Sequence, residues 1–192
     1  MAIAVFLDRD GTLNEEAGYI ADVSKMRLIP GAAQAISRLN RANIYAILTT
    51  NQSGPARGYY SEDHVKALNQ KLVELLDEEG KAKLDAIFYC PHLPTGSVPE
   101  YTKDCDCRKP RAAMIEAALQ QFPDISPAQS YVLGDKATDV EFAQNAGCKG
   151  ILLRTGYGEN VLQGTYQELK VKPYQICDNI AEAVDFILAE IA

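Results

Sequence analysis

Short apolar runs alternate along the chain with longer segments in which apolar residues recur at helical spacing. The first run, residues 2–7, is apolar at every position, as expected for a strand that is buried on both faces of a sheet. Similar runs predict strands at residues 44–48, 86–89, 131–133 and 151–153, and residues 175–177 close the pattern. Strands that alternate with helices form βαβ units, so the sequence predicts an α/β fold: a three-layer, Rossmann-like parallel sheet with helices on both faces.

The segments between these runs carry the start and stop signals of helices. Ser61 is a typical N-cap residue, Glu62 lies in the first turn behind it, and Gly80 ends the same segment. Apolar spacing predicts further helices that begin at residue 32 and cover residues 112–122, 140–146 and 180–191.

Length and composition are those of one globular domain. The chain has 192 residues, of which 47% are hydrophobic and 23% charged, and its net charge is -7. We therefore expect a single domain over residues 1–192. The negative charge disfavours a nucleic-acid partner, because phosphate backbones select basic surfaces. No apolar run approaches the roughly 18 residues that a membrane helix needs, and the first residues lack the basic leader of a signal peptide. The expectation is a cytoplasmic monomer without a membrane partner.

Charged, hydroxyl and amide side chains directly follow several predicted strands. Ligands of open parallel sheets bind beyond the carboxyl ends of the strands, so these residues are the first candidates for a site. The segments concerned are Asp8-Arg9-Asp10-Gly11-Thr12, Thr49-Thr50-Asn51-Gln52-Ser53-Gly54, Arg108-Lys109-Pro110 and Gly134-Asp135-Lys136-Ala137-Thr138-Asp139.

Asp8 and Asp10 have two plain explanations besides a catalytic one. They could form a simple Asp-Gly turn, which stays open from these two residues alone. They could also begin a calcium loop, but such a loop needs Gly at its sixth and Glu at its twelfth position, where this chain has Leu13 and Tyr19. Asp135 adds a third carboxylate at a strand end, and three carboxylates are suitable ligands for Mg²⁺.

A hydroxyl at Thr50 and an ammonium at Lys109 could hold a phosphoryl group, and a carboxylate can attack phosphorus to form an aspartyl-phosphate. With these residues in this order, the chain resembles the haloacid dehalogenase superfamily of phosphatases over essentially its whole length. The matching motifs are Asp8-x-Asp10-Gly-Thr, Thr50, Lys109 and Gly134-Asp135-x-x-x-Asp139.

The resemblance implies a role for each matching residue. Asp8 would be the nucleophile and a Mg²⁺ ligand. Asp10 would protonate the leaving alcohol and then activate water, while its backbone carbonyl binds the metal. Thr50 and Lys109 would hold the phosphoryl oxygens, and Asp135 would complete the Mg²⁺ ligands. Catalysis would depend mainly on positioning and charge stabilisation.

The resemblance also implies contacts with the rest of the substrate. These would come from Glu16, Gly18, Tyr19, Asn51, Gln52, Ser53, Arg108 and Lys136. Arg108 suits a second phosphate, because its planar fork of donors matches that anion. Arg57 is interpreted as a solvated surface residue. Asp139 has two interpretations: it orients Lys136 or a metal-bound water, or it is simply an acidic residue at a helix N-terminus.

A cluster of sulfur and imidazole side chains lies between the second and third motifs. Cys90 and His92 form C-x-H, twelve residues follow, and Cys105 and Cys107 form C-x-C. Three thiolates and one imidazole are a standard set for structural Zn²⁺. A disulfide with a spare thiol, a redox pair and a catalytic Cys–His couple are the alternatives. We favour zinc, which would fix both ends of the loop at residues 90–107 and the backbone that presents Lys109.

Two further expectations concern substrate access and class. The segments after the first motif and before the third leave no room for a separate cap domain, so we expect a capless fold with an open site. Within the superfamily, Gly18-Tyr19, Thr50–Gly54, Ala56-Arg57-Gly58 and the cysteine pattern resemble sugar bisphosphate phosphatases, with histidinol phosphate phosphatases as the alternative. A small phosphorylated sugar is the expected substrate. The alternative of another class is a non-catalytic, receiver-like or zinc-stabilised binding module, which would not need Asp10.

Overall fold

A six-stranded parallel sheet forms the centre of the protein, in a computed structural model that describes residues 1–192. The strands are β1 (Ala4–Leu7), β2 (Tyr45–Asn51), β3 (Ala86–Cys90), β4 (Tyr131–Gly134), β5 (Lys149–Leu153) and β6 (Gln175–Cys177). Their order across the sheet is β3-β2-β1-β4-β5-β6, and every neighbouring pair is parallel. The order reverses at β1, so the carboxyl ends of β1, β2 and β4 lie side by side at the point where doubly wound sheets bind ligands.

Seven helices connect the strands. They are α1 (Ala32–Arg41), α2 (Gly54–Arg57), α3 (Glu62–Gly80), α4 (Ala113–Gln121), α5 (Ala137–Asn145), α6 (Gly158–Leu162) and α7 (Ile180–Glu190). Ser61 caps α3 as predicted, since its hydroxyl accepts a hydrogen bond from the His64 N–H at 3.4 Å. None of the helices combines the length and the apolar character that crossing a bilayer requires.

Alternate residues of β1 enter two separate cores. Val5 and Leu7 pack into a large cluster with α1, α3 and α7, whereas Ala4 and Phe6 pack into a second cluster with α4 and α5. All four residues are completely buried, as a strand covered on both faces requires. The predicted three-layer α/β fold is therefore confirmed. The segments between the strands contain no additional sheet or helical cap, so the site at the carboxyl edge is open.

Several element boundaries differ from the sequence-based expectation, which also lacks the short helices α2 and α6. Two of the differences concern the site. β2 continues three residues beyond Leu48, because Thr49, Thr50 and Asn51 still pair with β3 despite being polar. α5 begins at Ala137 rather than at residue 140, because the Asp139 side chain accepts a hydrogen bond from the Lys136 backbone N–H at 3.0 Å and caps the helix. Both differences bring polar side chains closer to the sheet edge than hydrophobic periodicity indicates.

Candidate active site

Asp8 lies at the centre of the carboxyl edge and is held there by the sheet itself. Its backbone N–H donates to the Leu133 carbonyl of β4 at 2.9 Å. One carboxylate oxygen, Oδ1, lies 3.0 Å from Lys109 Nζ, and the other, Oδ2, lies 3.7 Å from Lys136 Nζ. Burial opposes the negative charge, but Lys109 and Lys136 outweigh it and hold the pKa of the Asp8 carboxyl below its ordinary value. Asp8 is therefore an ionised, nearly buried carboxylate.

Lys109 uses all three of its ammonium protons on fixed acceptors. Besides Asp8, Nζ lies 2.5 Å from Asp139 Oδ1 and 3.0 Å from the Thr49 carbonyl. The side chain of Asn51 fixes the backbone of the same lysine, accepting from its N–H at 3.0 Å and donating to its carbonyl at 3.2 Å. Although burial opposes the positive charge, Asp139 and Asp8 raise the pKa of Lys109. The ammonium is charged and directed at Asp8.

Asp139 therefore contacts two lysines at once. One carboxylate oxygen pairs with the Lys109 ammonium, and the other caps α5 by accepting from the Lys136 backbone N–H. Both sequence-based interpretations of Asp139 miss the Lys109 contact, because spacing along the chain does not show that residues 109 and 139 meet.

The Asp135 carboxylate is buried and only half satisfied. Oδ2 accepts from the Tyr157 backbone N–H at 2.8 Å. Oδ1 lies 3.3 Å from Lys136 Nζ, close enough for an ion pair, but accepts no hydrogen bond. Burial raises the pKa of Asp135 to about 7. Buried carboxylates need a compensating charge, and the ligand oxygens of Asp8, Asp135 and Asp139 lie within 4.8 Å of one another. Both oxygens of Asp139 are engaged by Lys109 and by the cap of α5, so Asp8 and Asp135 are the carboxylates of this group that fit a hard divalent cation such as Mg²⁺.

Two glycines make room for the Asp135 carboxylate. Gly11 has φ +79° and Gly156 has φ +54°, backbone conformations that other residues rarely adopt. A Cβ atom at either position would lie about 2 Å from Asp135 Oδ2: 2.2 Å for Gly11 and 2.1 Å for Gly156. The Asp-Gly dipeptide after β1 is therefore required for the approach of Asp135, and not only for a turn.

Asp10 is tied to its surroundings by both carboxylate oxygens. Oδ1 accepts from Asn14 Nδ2 at 3.0 Å, and Oδ2 accepts from Gln52 Nε2 at 2.9 Å and from Arg9 Nη2 at 3.0 Å. Gln52 Nε2 also donates to Thr50 Oγ1 at 3.0 Å. Because the Thr50 hydroxyl accepts this bond, its own proton is free for an acceptor in the cavity.

These side chains line one open cavity of about 330 Å³. The residues predicted from the sequence that line it are Asp8, Asp10, Glu16, Gly18, Tyr19, Thr50, Asn51, Gln52, Ser53, Arg108, Lys109 and Lys136. Glu16 reaches Lys136 across the cavity, with Oε2 3.4 Å from Nζ. The amides of Asn51 and Gln52 are directed at Lys109, Asp10 and Thr50, so they act on those neighbours whether or not they also touch a substrate.

Arg57 is exposed, as the sequence-based interpretation expects, but it also takes part in the cavity. Arg57 lines the cavity, Nε donates to Ser53 Oγ at 3.4 Å, and the guanidinium lies 5.8 Å from the centre of the Tyr19 ring. The other lining residues that sequence analysis did not find are Tyr60, Tyr157, Tyr166 and Gln167, whereas Thr138 and Asp139 belong to a strand-end segment that it did single out. The rings of Tyr157 and Tyr166 stack at 4.2 Å. Tyr157 follows β5 at the carboxyl edge, so the strand-end rule could have identified it.

The cysteine cluster lies beside this cavity and contains no disulfide. Sγ of Cys107 lies 3.1 Å from that of Cys90 and 3.4 Å from that of Cys105, and His92 Nδ1 lies 3.4 Å from the same atom. All four ligand atoms are within 4.8 Å of one another. Four such atoms surrounding one point fit a tetrahedral Zn²⁺ with bonds of about 2.0–2.3 Å.

The cluster is joined to the active-site backbone by direct contacts. The Cys90 carbonyl accepts from the Gln52 N–H at 2.8 Å, and Arg108 Nη1 donates to the His92 carbonyl at 2.9 Å. Lys109 follows two residues after Cys107. The position of the cluster therefore affects the segments that carry both Gln52 and Lys109.

Comparison with known proteins identifies the class to which this architecture belongs. The model of the HAD-hydrolase-like family matches residues 106–183. Among solved structures, D,D-heptose 1,7-bisphosphate phosphatase from B. bronchiseptica, in complex with magnesium and phosphate, has a TM-score of 0.85 and 31% identity. That match covers 98% of this chain and 99% of the other.

Curated relatives agree with the structural match. The chain is 48% identical over 192 residues to D-glycero-D-manno-heptose-1,7-bisphosphate 7-phosphatase of Thermosynechococcus vestitus, covering 98% of this chain and 97% of that relative. It is 40% identical over 155 residues to D-glycero-beta-D-manno-heptose-1,7-bisphosphate 7-phosphatase of Escherichia coli K12, covering 80% of each. The chain belongs to the haloacid dehalogenase superfamily and, within it, to the family of heptose bisphosphate phosphatases.

Proposed function

We propose that this protein is a Mg²⁺-dependent phosphatase that removes the 7-phosphate of D-glycero-D-manno-heptose 1,7-bisphosphate through a phosphoryl group carried on Asp8. The observation that supports it most is the convergence of Asp8 with Lys109 and Asp135 from three distant parts of the chain. The similarity to relatives named for this reaction supports the substrate. In this role the protein acts in the supply of ADP-heptose for bacterial lipopolysaccharide, and its five free cysteines suit the reducing cytoplasm.

The first half of the proposed reaction transfers the phosphoryl group to Asp8. A carboxylate oxygen of Asp8 attacks phosphorus, the bond from phosphorus to the sugar oxygen breaks, and Asp10 gives its proton to that oxygen. Lys109 and the Thr50 hydroxyl stabilise the negative charge on the phosphoryl oxygens. Placing these groups in one rigid cavity supplies the orientation on which phosphoryl transfer depends.

The second half restores the enzyme. Asp10, now a carboxylate, takes a proton from water, the water oxygen attacks phosphorus, and the bond to Asp8 breaks to release inorganic phosphate. The same residue thus serves as acid and then as base, and Asp10 lines the cavity in which both steps would take place.

Mg²⁺ would be held by Asp8, Asp135 and the Asp10 backbone carbonyl, and would supply positive charge that offsets the charge of the phosphoryl oxygens. Zn²⁺ would be held by Cys90, His92, Cys105 and Cys107 in a closed structural site, since four protein ligands leave no open position for a substrate. We propose that zinc fixes the zinc loop at residues 90–107 within the single domain, and through it Arg108 and Lys109.

The cavity lining carries four acidic and four basic side chains, and within it the placement of two arginines favours a bisphosphate over histidinol phosphate. Arg57 and Arg108 line the cavity in addition to the two lysines that face Asp8. Two arginines outside the reacting centre suit a second phosphate, whose geometry matches the guanidinium fork. Histidinol phosphate carries an ammonium group instead of a second phosphate, and that group would be repelled by the same arginines.

A phosphate-release assay tests the proposal. Heptose 1,7-bisphosphate and histidinol phosphate are compared at equal concentrations, with Mg²⁺ and with a chelator, for the native chain and for Asp8→Asn. We expect Mg²⁺-dependent release from the heptose bisphosphate at least about tenfold faster than from histidinol phosphate, and none from Asp8→Asn. Equal rates of release from the two compounds would contradict the substrate assignment but not the proposed phosphatase reaction. Activity in Asp8→Asn would contradict the reaction, and full phosphate binding without turnover would favour the binding module.

A further inference from the structure

Arg9 separates the two proposed catalytic aspartates in the sequence, but its side chain does not enter the cavity. The residue is 1% exposed and does not belong to the cavity lining, whereas Asp8 and Asp10 on either side of it do. Burying a guanidinium is costly unless charged and polar partners compensate for the lost water. The partners of Arg9 therefore show what the burial of this charge achieves.

The main partner of Arg9 is the carboxylate of Asp10. Nη2 lies 3.0 Å from Oδ2 and 3.3 Å from Oδ1, and Nε lies 3.3 Å from Oδ1. The guanidinium thus contacts both oxygens of a carboxylate that also accepts from Asn14 and Gln52 and whose side chain is 14% exposed at the cavity. A planar group that contacts two oxygens fixes both the position and the rotation of the carboxylate, which a single hydrogen bond does not.

Two buried amides hold Arg9 itself in place. Nη1 donates to Asn69 Oδ1 at 3.1 Å, and Nη2 donates to Gln52 Oε1 at 2.8 Å. Asn69 lies on α3, 60 residues away in sequence, and is 4% exposed. It is a polar residue within the otherwise apolar buried stripe of that helix. Arg9 explains its presence, since a buried amide needs a hydrogen-bond partner.

We propose that Arg9, fixed by Asn69 and Gln52, is a positioning residue that orients Asp10 for proton transfer to the leaving oxygen. The positive charge also stabilises the carboxylate that remains on Asp10 after the proton has left. This inference rests on the proposed function, because it gives Arg9 a role only if Asp10 acts as the acid. It predicts that Arg9 matters in proportion to how much the leaving group needs a proton.

Leaving-group dependence tests this role. A sugar phosphate has a poor leaving group that must be protonated, whereas the p-nitrophenolate of p-nitrophenyl phosphate departs without a proton. We compare kcat/KM, which reports the steps up to the first phosphoryl transfer, for both substrates in the native chain, Arg9→Lys, Arg9→Met and Asp10→Asn. General acid catalysis contributes roughly 10²–10⁴-fold, so for Arg9→Met we expect a loss of at least about tenfold on the sugar phosphate and of less than about threefold on p-nitrophenyl phosphate.

Further variants separate positioning from a purely structural role. Arg9→Met combined with Asp10→Asn should lose no more than Asp10→Asn alone, because both changes remove the same step. Asn69→Leu keeps Arg9 and Asp10 and removes one anchor, so it should show a smaller loss with the same preference for the sugar phosphate. If Arg9→Met does not fold, Asn69→Leu alone tests whether Arg9 positions Asp10. Arg38→Met is the matched control. Arg38 pairs with Asp185 on helices away from the cavity, so this change should leave kcat/KM unchanged for both substrates.

The outcomes distinguish this inference from the proposed function. If the native chain hydrolyses p-nitrophenyl phosphate but not the heptose bisphosphate, the substrate is wrong, and the comparison is repeated with a sugar phosphate that it does hydrolyse. Suppose that Asp10→Asn reduces kcat/KM more for the sugar phosphate, whereas Arg9→Met and Asn69→Leu reduce it equally for both substrates. Arg9 is then structural, and the inference is overturned. If Asp10→Asn itself shows no preference, Asp10 is not the acid and the inference falls with it.

Discussion

Lys109 and Asp139 form an ion pair at 2.5 Å in which the two side chains are only 3% and 1% exposed. The same ammonium lies 3.0 Å from Asp8 Oδ1. Lys109 is thus shared between two carboxylates, one proposed to react and one that holds the lysine and caps α5. This arrangement leaves Asp8 charged but not fully neutralised, and it fixes the lysine in the position that an incoming phosphoryl group would need.

Replacing Asp139 by Asn tests that division of charge. The ammonium would lose one carboxylate and pair more closely with Asp8, which would weaken the nucleophile and displace the lysine. We expect Asp139→Asn to lower kcat by about 10²–10³-fold, the range typical for loss of one preorganised electrostatic contact, with a small change in KM. Glu141→Gln, on the same helix but outside the cavity, is the control. An unchanged kcat in Asp139→Asn would refute this account of the pair.

The buried carboxylate of Asp135 should lower the stability of the fold when no metal is bound. Burial raises the pKa of its carboxyl from 3.8 to about 7, so its ionisation destabilises the metal-free fold as the pH rises from about 4 to 7. Asp135→Asn should therefore raise the melting temperature in chelator at pH 8 by about 2–4 °C, the shift that ~1 kcal/mol gives in a domain of this size. The gain should disappear near pH 4, where both forms are neutral.

Magnesium should reverse this comparison. Adding Mg²⁺ at pH 8 should stabilise the native chain and not Asp135→Asn, because binding to the folded state alone raises its stability. Thermal unfolding with and without the metal, across this pH range, measures both effects. A lower melting temperature for Asp135→Asn in chelator at pH 8 would show that the buried carboxylate is already fully compensated by Lys136.

Removal of zinc should reduce turnover without changing the requirement for Mg²⁺. The cluster contacts the backbone of the segments that carry Gln52 and Lys109, whereas no cysteine of the cluster lines the cavity with Asp8. We expect zinc-free protein to show a kcat reduced about tenfold or more, a typical cost of misplacing a positioned group, with the same half-saturating Mg²⁺. Kinetics of zinc-free and zinc-reloaded samples provide the test. Full activity without zinc would show that zinc does not position the segments that carry Gln52 and Lys109.

The two cysteines outside the cluster predict a pH-dependent pattern of thiol reactivity. Burial raises the pKa of Cys148 to about 12 and that of Cys177 to about 11. Since the thiolate is the reactive form and only about 10⁻⁴ of Cys148 and 10⁻³ of Cys177 would be ionised at pH 8, both should react slowly. Their alkylation in the folded, zinc-loaded protein should be slow and rise about tenfold with each unit of pH.

Counting alkylated cysteines by mass spectrometry checks this pattern. At pH 8 a chelator of zinc should release the three cluster thiols, Cys90, Cys105 and Cys107, and leave the other two slow to react. Rapid alkylation of all five cysteines in the zinc-loaded protein would mean that the cluster does not protect its thiols. A count that chelation does not change would contradict the zinc assignment.

Sequence reasoning reached the fold and the residues that gather at the sheet edge for one physical reason. In a parallel sheet the carboxyl ends of neighbouring strands meet, so Asp8, Thr50 and Asp135 can be placed together without coordinates. It did not reach Asn69, because a polar residue within a helical stripe looks like any other until its partner is known. It also did not show that the exposed Arg57 lines the cavity, since exposure to bulk water and exposure to a cavity are indistinguishable in a sequence.

The most direct test of the account is to locate the phosphoryl group during turnover. Asp10→Asn should form the aspartyl-phosphate from p-nitrophenyl phosphate, whose leaving group needs no proton, and hydrolyse it slowly, because the residue that activates water is missing. Rapid mixing with p-nitrophenyl phosphate and Mg²⁺, followed by borohydride trapping and peptide mass spectrometry, should place the modification on Asp8. No modification should appear when Asp8→Asn is combined with Asp10→Asn. A phosphoryl group found on another residue, such as His92 or Ser53, would contradict the central claim.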